Sequence, residues 1–128
     1  DEELTGKDAQ IVLDEAGMLE KYLGCGVFVS SSALENSPNS VAEAMLLGVP
    51  LVATSVGSVP SMAEDGADAR LVAFNDVPAL ADAIADTFED TETTDRLRMH
   101  ARERALVAHD RRRNAETLIA IYREICGA

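Results

Sequence analysis

The sequence predicts an α/β fold: half of a doubly wound, Rossmann-like parallel sheet, with about three strands and helices on both faces. The prediction depends on three short apolar runs, GVFVS (Gly26–Ser30), PLVAT (Pro50–Thr54) and ARLVAF (Ala69–Phe74). Each run is too short for a helix and too apolar for a strand with one face in water, which indicates a buried parallel sheet. Helical patterns separate the runs, and right-handed crossovers of this kind place helices on the sheet faces.

The first helices are predicted before and between these strands. Leu13–Leu23 groups its apolar residues near one face. Val41–Leu47 is almost entirely apolar and is followed by Gly48, which suits the left-handed residue that closes many helices. Val59–Asp65 predicts a short helix before a turn at Gly66.

Three further helices are predicted towards the C-terminus. Asp76 can cap a helix that holds Pro78 in its first turn. Thr91–Ala108 is a second helix, and Asp110 can cap the third, which closes the chain over residues 110–128. The apolar residues of this last helix recur at i, i+3, i+4 and i+7, as on one helical face: Leu118, Ile121, Tyr122 and Ile125.

The length of 128 residues suits a single domain, residues 1–128, but three strands are few for a doubly wound sheet. An exposed parallel edge is also a liability. We therefore expect a partial domain, the C-terminal part of a larger one whose first strands are absent. The chain does not begin with Met, which indicates an excised or processed piece, and self-association at the open sheet edge is a hypothesis.

Composition excludes several classes of protein. A net charge of −12 argues against nucleic acid and anionic lipid as partners. No apolar run approaches the ~20 residues of a membrane span, and no signal peptide is visible. Cys25 and Cys126 form no disulfide framework, so reduced thiols in a cytoplasmic protein are expected. His100 and His109 lack clustered partners, so no metal site is predicted, and His109 is interpreted as packing at a helix junction.

The arginines are unevenly distributed, since seven of the nine lie between positions 96 and 113. Such a cluster on helices is typical of a solvated face. The alternative is a contact with an acidic partner or domain outside this chain.

A polar loop, SSALENSPNS, follows the first strand and leads into a helix. Ligands of doubly wound sheets bind at the carboxyl ends of strands, near the switch point. Ser37, Asn39 or Ser40 can cap the helix, and Pro38 fits an early helical position. Because free N–H groups and the helix dipole favour phosphate, the loop predicts a site for an anionic ligand.

Two glutamates, Glu35 in this loop and Glu43 in the helix after it, also have purely structural interpretations. Ser40 and Glu43 match a capping box, in which the Glu43 carboxylate accepts a hydrogen bond from the N–H of Ser40. Glu35 can be a solvent-exposed loop carboxylate. Spacing alone leaves both alternatives open.

The segment ENSPNSVAEAMLLGVPLVATSVGSVPSM resembles the group 1 glycosyltransferases of the GT-B fold. Their signature is two glutamates separated by seven residues, followed by Ala-Met, a Gly-x-Pro turn and an apolar strand. The matching residues here are Glu35, Glu43, Ala44, Met45, Gly48 and Pro50. Two departures are Asn36-Ser37-Pro38, in place of Gly-Phe-Gly, and Gly57–Ser61, in place of Gly-Gly-x-Pro-Glu.

The resemblance implies the donor-binding part of a retaining glycosyltransferase of glycan biosynthesis, which uses a UDP- or GDP-sugar and needs no cofactor or metal. It implies that Glu35 is catalytic, beside the hydroxyls of the donor sugar, and that Glu43 binds the ribose. The other implied donor-binding residues belong to the loop and helix start: Asn36, Ser37, Asn39, Ser40 and Val41.

The resemblance also implies missing parts. Members of the family hold the diphosphate with an Arg-Lys pair, and the sequence around Lys7 and Lys21 does not match that around the pair. A glycan or lipid-linked acceptor would bind an N-terminal domain, which is absent from this sequence. The chain is therefore expected to be inactive alone. Two alternative functions are a non-catalytic interaction module similar to a response-regulator receiver, and a nucleotide-sugar epimerase of the GT-B fold.

Overall fold

The computed structural model describes residues 14–127 and confirms the α/β class and the predicted order of elements. The predicted helix start at Leu13 lies outside the described residues. The elements are α1 (Glu15–Leu23), β1 (Phe28–Ser30), α2 (Asn39–Leu46), β2 (Leu51–Thr54), α3 (Val59–Met62), β3 (Arg70–Val72), α4 (Val77–Glu89), α5 (Thr91–Ala108) and α6 (Arg111–Cys126).

The three strands form a parallel sheet in the order β1-β2-β3. Only the central strand β2 is buried at every residue, whereas Val29 of β1 is exposed and all of β3 is half-buried. The expectation of three fully buried strands is therefore wrong for the outer two, because each has only one neighbour among the described strands.

Helices cover both faces of the sheet. Leu51 and Ala53 of β2 pack in one core with residues of α2 and α5. Side chains alternate along a strand, so Thr54 points to the opposite face, where it shares a hollow with Val77 and Leu80 of α4. The predicted layers are thus confirmed. The main core consists of Val41, Met45, Leu51, Ala53, Val59, Ala63, Ala69, Ala101 and Ala105.

Short-range polar contacts set the helix ends as the sequence predicts. The carboxylate of Asp76 accepts a hydrogen bond from the Ala79 N–H at 3.0 Å, and that of Asp110 accepts one from the Arg113 N–H at 3.0 Å. Gly48 follows α2 with a φ of 69°, the left-handed conformation expected there.

Two of the clustered arginines connect separate elements. Arg104 Nη1 donates to Asp68 Oδ2 at 2.8 Å, and the Asp68 side chain is only 7% exposed. Arg102 Nε donates to the Leu46 carbonyl at 3.3 Å, at the C-terminal end of α2. The interpretation of a merely solvated arginine face is therefore wrong for these two residues, which hold α5 against the rest of the domain.

The closing helix α6 has no buried residue in the part of the chain that the structure describes. Its apolar side chains are all exposed: Leu118, Ile119, Ile121, Tyr122 and Ile125. Within residues 14–127, no helix combines the length and the apolar character that crossing a bilayer requires.

Candidate functional site

The carboxyl ends of the three strands lie level at one edge of the sheet. β1 ends at Ser30, β2 at Thr54 and β3 at Val72, and the register pairs Thr54 with Val72. Residues 31–38 leave this edge and lead to α2, as predicted. None of the three described strands ends in Asp, whereas a receiver domain carries its phosphoacceptor Asp at a strand end.

Glu35 is held at this edge by a chain of hydroxyl groups. Ser32 Oγ donates to Glu35 Oε1 at 2.6 Å, and Thr54 Oγ1 donates to the Ser32 carbonyl at 2.6 Å. Thr54 itself is buried, and Glu35 is half-buried. The alternative of a freely exposed loop carboxylate is therefore wrong, because β2 fixes the loop that holds Glu35.

The loop after β2 packs directly against the backbone of Glu35. Gly57 has a φ of 56°, in the left-handed region, and a Cβ atom built there would overlap the Glu35 carbonyl oxygen. Only glycine permits both this conformation and this close approach. The first glycine of the Gly57–Ser61 segment thus positions the loop that precedes α2.

Helix α2 begins earlier than the sequence predicts. Its N-cap is Pro38, which has an extended ψ of 98°, and no side chain of the described residues caps the helix. The caps expected from Ser37, Asn39 or Ser40 are therefore wrong, since Asn39 and Ser40 already belong to the helix. The Val41 side chain is buried in the core, and its N–H donates to the Pro38 carbonyl at 3.1 Å.

Glu43 does not close a capping box. Its Oε2 atom instead accepts a hydrogen bond from the Tyr22 hydroxyl at 3.1 Å, and the same hydroxyl lies 3.3 Å from the Ser40 carbonyl. Tyr22 belongs to α1 and is only 5% exposed, whereas Glu43 is exposed. α1 therefore orients a carboxylate that stays accessible to a ligand.

Burial, followed by the hydrogen bond to the Glu43 carboxylate, raises the pKa of Tyr22 to about 12 from its ordinary value of 10. Tyr22 can be observed by itself in Tyr122→Phe, because the chain has only two tyrosines. Phenolate absorbance at 295 nm is expected to rise with a midpoint near pH 12. In Tyr122→Phe/Glu43→Gln the midpoint should fall towards 10, and an unchanged midpoint would contradict the contact.

The raised pKa of Tyr22 also predicts how the free energy of unfolding depends on pH. Because the folded pKa is higher than the unfolded one, the contribution of Tyr22 is complete below pH 10 and is lost between pH 10 and 12. The free energy of unfolding should fall in this window by about 2 kcal/mol more in the wild type than in Tyr22→Phe. Urea titrations at pH 8, 10 and 11.5 measure the difference.

The implied site residues do not all share one environment. Asn36, Ser37 and Asn39 are exposed beside the edge, and Ser40 is half-buried. Sequence reasoning missed Tyr22, Ser32 and Thr54, which hold the two glutamates. Ser32 lies three residues before Glu35 and could have been noticed, but the other two are distant in sequence.

A family model described as "Glycosyl transferases group 1" matches residues 2–104. The chain is 31% identical over 104 residues to the colanic acid biosynthesis glycosyltransferase WcaL of Salmonella typhimurium and 30% identical over 103 residues to WcaL of Escherichia coli. Each alignment covers 80% of this chain and 24% of the relative, so the chain spans about a quarter of their length.

Solved structures show the same fold. Alr3699/HepE of Anabaena, in a crystal structure with UDP, is 28% identical with a TM-score of 0.74, over 82% of this chain and 30% of that one. The sucrose-phosphate synthase of Thermosynechococcus elongatus is 26% identical with a TM-score of 0.79, over 95% of this chain and 31% of that one. Together with the matched family model, these relatives show that the chain belongs to the group 1 glycosyltransferases.

Proposed function

We propose that this chain is the donor-binding part of a retaining glycosyltransferase, which moves a sugar from a UDP- or GDP-sugar to an acceptor. The main support is that Glu35 lies in the loop that leaves the carboxyl edge of the sheet and Glu43 lies in the helix that follows, each carboxylate accepting a hydrogen bond from a hydroxyl group. Crystal structures of the relative Alr3699/HepE with UDP and with UDP-glucose support the class of donor.

The two carboxylates suit the hydroxyl-rich parts of such a donor. A carboxylate has two acceptor oxygens and matches vicinal hydroxyl groups. We assign Glu43 to the ribose and Glu35 to the transferred sugar, with Asn36, Ser37, Asn39 and Ser40 along the donor between them. Val41, the remaining predicted donor-binding residue, receives no contact, because its side chain is buried and its N–H donates to the Pro38 carbonyl. Transfer breaks the bond from the anomeric carbon to the diphosphate oxygen, which keeps the electron pair. The acceptor oxygen then bonds that carbon, and its proton passes to the departing diphosphate.

We also propose that the chain is inactive alone. Within the described residues, every hydrogen bond recorded to the Glu35 or Glu43 carboxylate comes from a hydroxyl group. A leaving diphosphate needs positive groups aimed at its developing charge. We assign that charge, and the binding of a glycan or lipid-linked acceptor, to the remainder of the longer protein.

Calorimetric titration of the full-length protein with UDP and with UDP-glucose tests these assignments. Glu43→Gln should weaken both ligands about 10- to 100-fold, because a charge-assisted hydrogen bond to the shared ribose is lost. Glu35→Gln should weaken UDP-glucose alone, since UDP has no transferred sugar. The same titrations with GDP and GDP-mannose test the alternative that the donor is a GDP-sugar.

Tyr22→Phe is the matched control, because it removes the hydrogen bond that orients Glu43 but keeps the carboxylate. Its effect on UDP affinity should be smaller than that of Glu43→Gln. If the wild type bound neither nucleotide, or if Glu43→Gln left both affinities unchanged, the proposed function would be rejected. An assay that measures sugar transfer to an acceptor and epimerisation of the donor separately distinguishes a transferase from an epimerase.

A further inference from the structure

A second hollow, with a volume of about 290 Å³, is lined by the loop after β1, by α3 with the residue before it, and by the C-terminal end of α5. Methionine and alanine side chains form its apolar wall. Its polar wall consists of Ser37, Ser58, Ser61, Arg104 and His109. None of the described residues that line it is Asp or Glu, so hydrogen-bond donors outnumber charged acceptors there.

The three serines of this wall lie where the sequence departs from the group 1 signature. Ser37 replaces the Phe of Gly-Phe-Gly, and Ser58 and Ser61 replace the second Gly and the Glu of Gly-Gly-x-Pro-Glu. Ser is much smaller than Phe and lacks the negative charge of Glu. The departures therefore leave space and remove a carboxylate at one place, which indicates an occupant specific to this protein.

Ser58 supplies a hydrogen-bond donor to this hollow. Its Oγ atom is buried, and no group of the described residues forms a hydrogen bond with it. The neighbouring Ser61 hydroxyl does not compensate, because it donates to the Ser58 carbonyl at 2.6 Å. Buried hydroxyl groups are almost always paired in native proteins. A ligand with an acceptor oxygen therefore gains a hydrogen bond that Ser58 does not make within residues 14–127.

Arg104 presents its guanidinium to the same hollow. Its Nη1 donates to Asp68 Oδ2 at 2.8 Å, and its Nη2 donates to the Ser61 carbonyl at 3.4 Å. A guanidinium carries more N–H groups than these two contacts use. The Asp68 side chain is 7% exposed and does not line the hollow, whereas the Arg104 side chain is 41% exposed. A ligand there meets the guanidinium rather than its acidic partner.

His109 completes the polar wall at the end of α5. It is the C-cap residue of that helix and is exposed, and an imidazole N–H can donate a hydrogen bond. The C-terminal end of a helix carries a partial negative charge, which opposes an anion. Hydrogen bonds from a guanidinium to an oxyanion are charge-assisted and exceed this effect, so the hollow still favours an anion.

We infer that the hollow binds a small oxyanion, a phosphate or carboxylate group joined to an apolar part, at a site separate from the proposed donor site. Arg104, Ser58 and His109 donate hydrogen bonds to the oxyanion. The apolar part contacts Met62, because a thioether side chain adapts to irregular shapes. The inference goes beyond the proposed function and does not depend on it, although Ser37 lines the hollow and also belongs to the proposed donor loop.

NMR of the full-length protein, labelled at its methionine methyl groups, tests the inference with phenylphosphate and benzoate as probes and neutral benzyl alcohol for comparison. Excess UDP is present, so that the proposed donor site is filled. At least one of the two anions should shift the Met62 methyl signal, and benzyl alcohol should bind about tenfold more weakly. The methyl group of Met99 should not move, because Met99 lies on α5 but does not line the hollow.

Ser61→Glu and Ser61→Gln form a matched pair, because their side chains have nearly the same shape and differ in charge. Ser61 is exposed, so both variants should fold, which urea denaturation checks. Ser61→Glu should bind the anion about tenfold more weakly than Ser61→Gln. Ser58→Ala should weaken it about 3- to 10-fold, whereas Ser55→Ala, at an exposed serine that does not line the hollow, should leave the affinity unchanged.

Three results would overturn the inference: no shift of the Met62 signal with either anion, equal affinities of Ser61→Glu and Ser61→Gln, or displacement of the anion by UDP. The last is measured by repeating the titration without UDP. Failure of UDP itself to bind would reject the proposed function alone, because the Met62 signal reports the anion with or without a nucleotide.

Discussion

Replacing Gly57 by alanine is expected to destabilise the protein by roughly 2–5 kcal/mol and to abolish most of its affinity for a sugar nucleotide. The left-handed conformation of residue 57 costs an alanine about 1–2 kcal/mol. The new Cβ would also overlap the Glu35 carbonyl oxygen, and relief of such overpacking costs about 1–3 kcal/mol more. Because the overlap is with backbone, the Glu35 loop must move.

Gly66→Ala separates these two causes. Gly66 also has a positive φ, of 75°, but a Cβ there meets no atom within 4 Å. This variant should show the conformational cost alone and keep its affinity for UDP-glucose. Urea denaturation and calorimetric titration of both variants measure the comparison. Equal losses of affinity in the two would contradict a positioning role for Gly57.

Met45→Ala is expected to have the largest effect on stability that does not involve the binding loop, a loss of about 2–5 kcal/mol. Met45 is 2% exposed and lies in the main core, where α2 packs on β2 and α5. Truncation leaves a cavity that its rigid neighbours on the central strand cannot fill.

Met99→Ala is the control for this change, because Met99 lies on α5 but is 47% exposed. Its free energy of unfolding should differ from wild type by less than about 0.5 kcal/mol. If both variants were equally stable, α2 would not be anchored through Met45. Affinity for UDP should fall in Met45→Ala only at temperatures where the protein begins to unfold.

The parts of the fold that the sequence predicts correctly are set by neighbouring residues. Asp76 and Asp110 each cap a helix by accepting a hydrogen bond from the N–H three residues ahead, and Gly48 follows the end of α2, so both kinds of signal are local. The capping box at Ser40 was wrong although its pattern is also local, because Pro38 starts α2 earlier. Ser40 then lies inside the helix, and Glu43 faces α1.

Only the local part of the candidate site, the loop and helix that hold the two glutamates, can be predicted from the sequence. The spacing of Glu35 and Glu43 is visible in the sequence, and Glu35 lies in the loop after β1 while Glu43 lies in the middle of α2. Their supporting groups are not visible: Tyr22 is 21 residues from Glu43, and Thr54 is 22 residues from Ser32. Contacts over such separations depend on the packing of the sheet, which no local pattern specifies.

The contact between Tyr22 and Glu43 gives the domain an optical reporter of its own. The chain has no tryptophan, so its near-ultraviolet emission comes from two tyrosines. We expect the Glu43 carboxylate, which accepts a hydrogen bond from the Tyr22 hydroxyl, to quench the emission of Tyr22. A ribose that recruits Glu43 should release the Tyr22 hydroxyl and brighten this emission. Occupancy of the nucleotide could then be followed without a label, in the variant that retains Tyr22 as its only phenol.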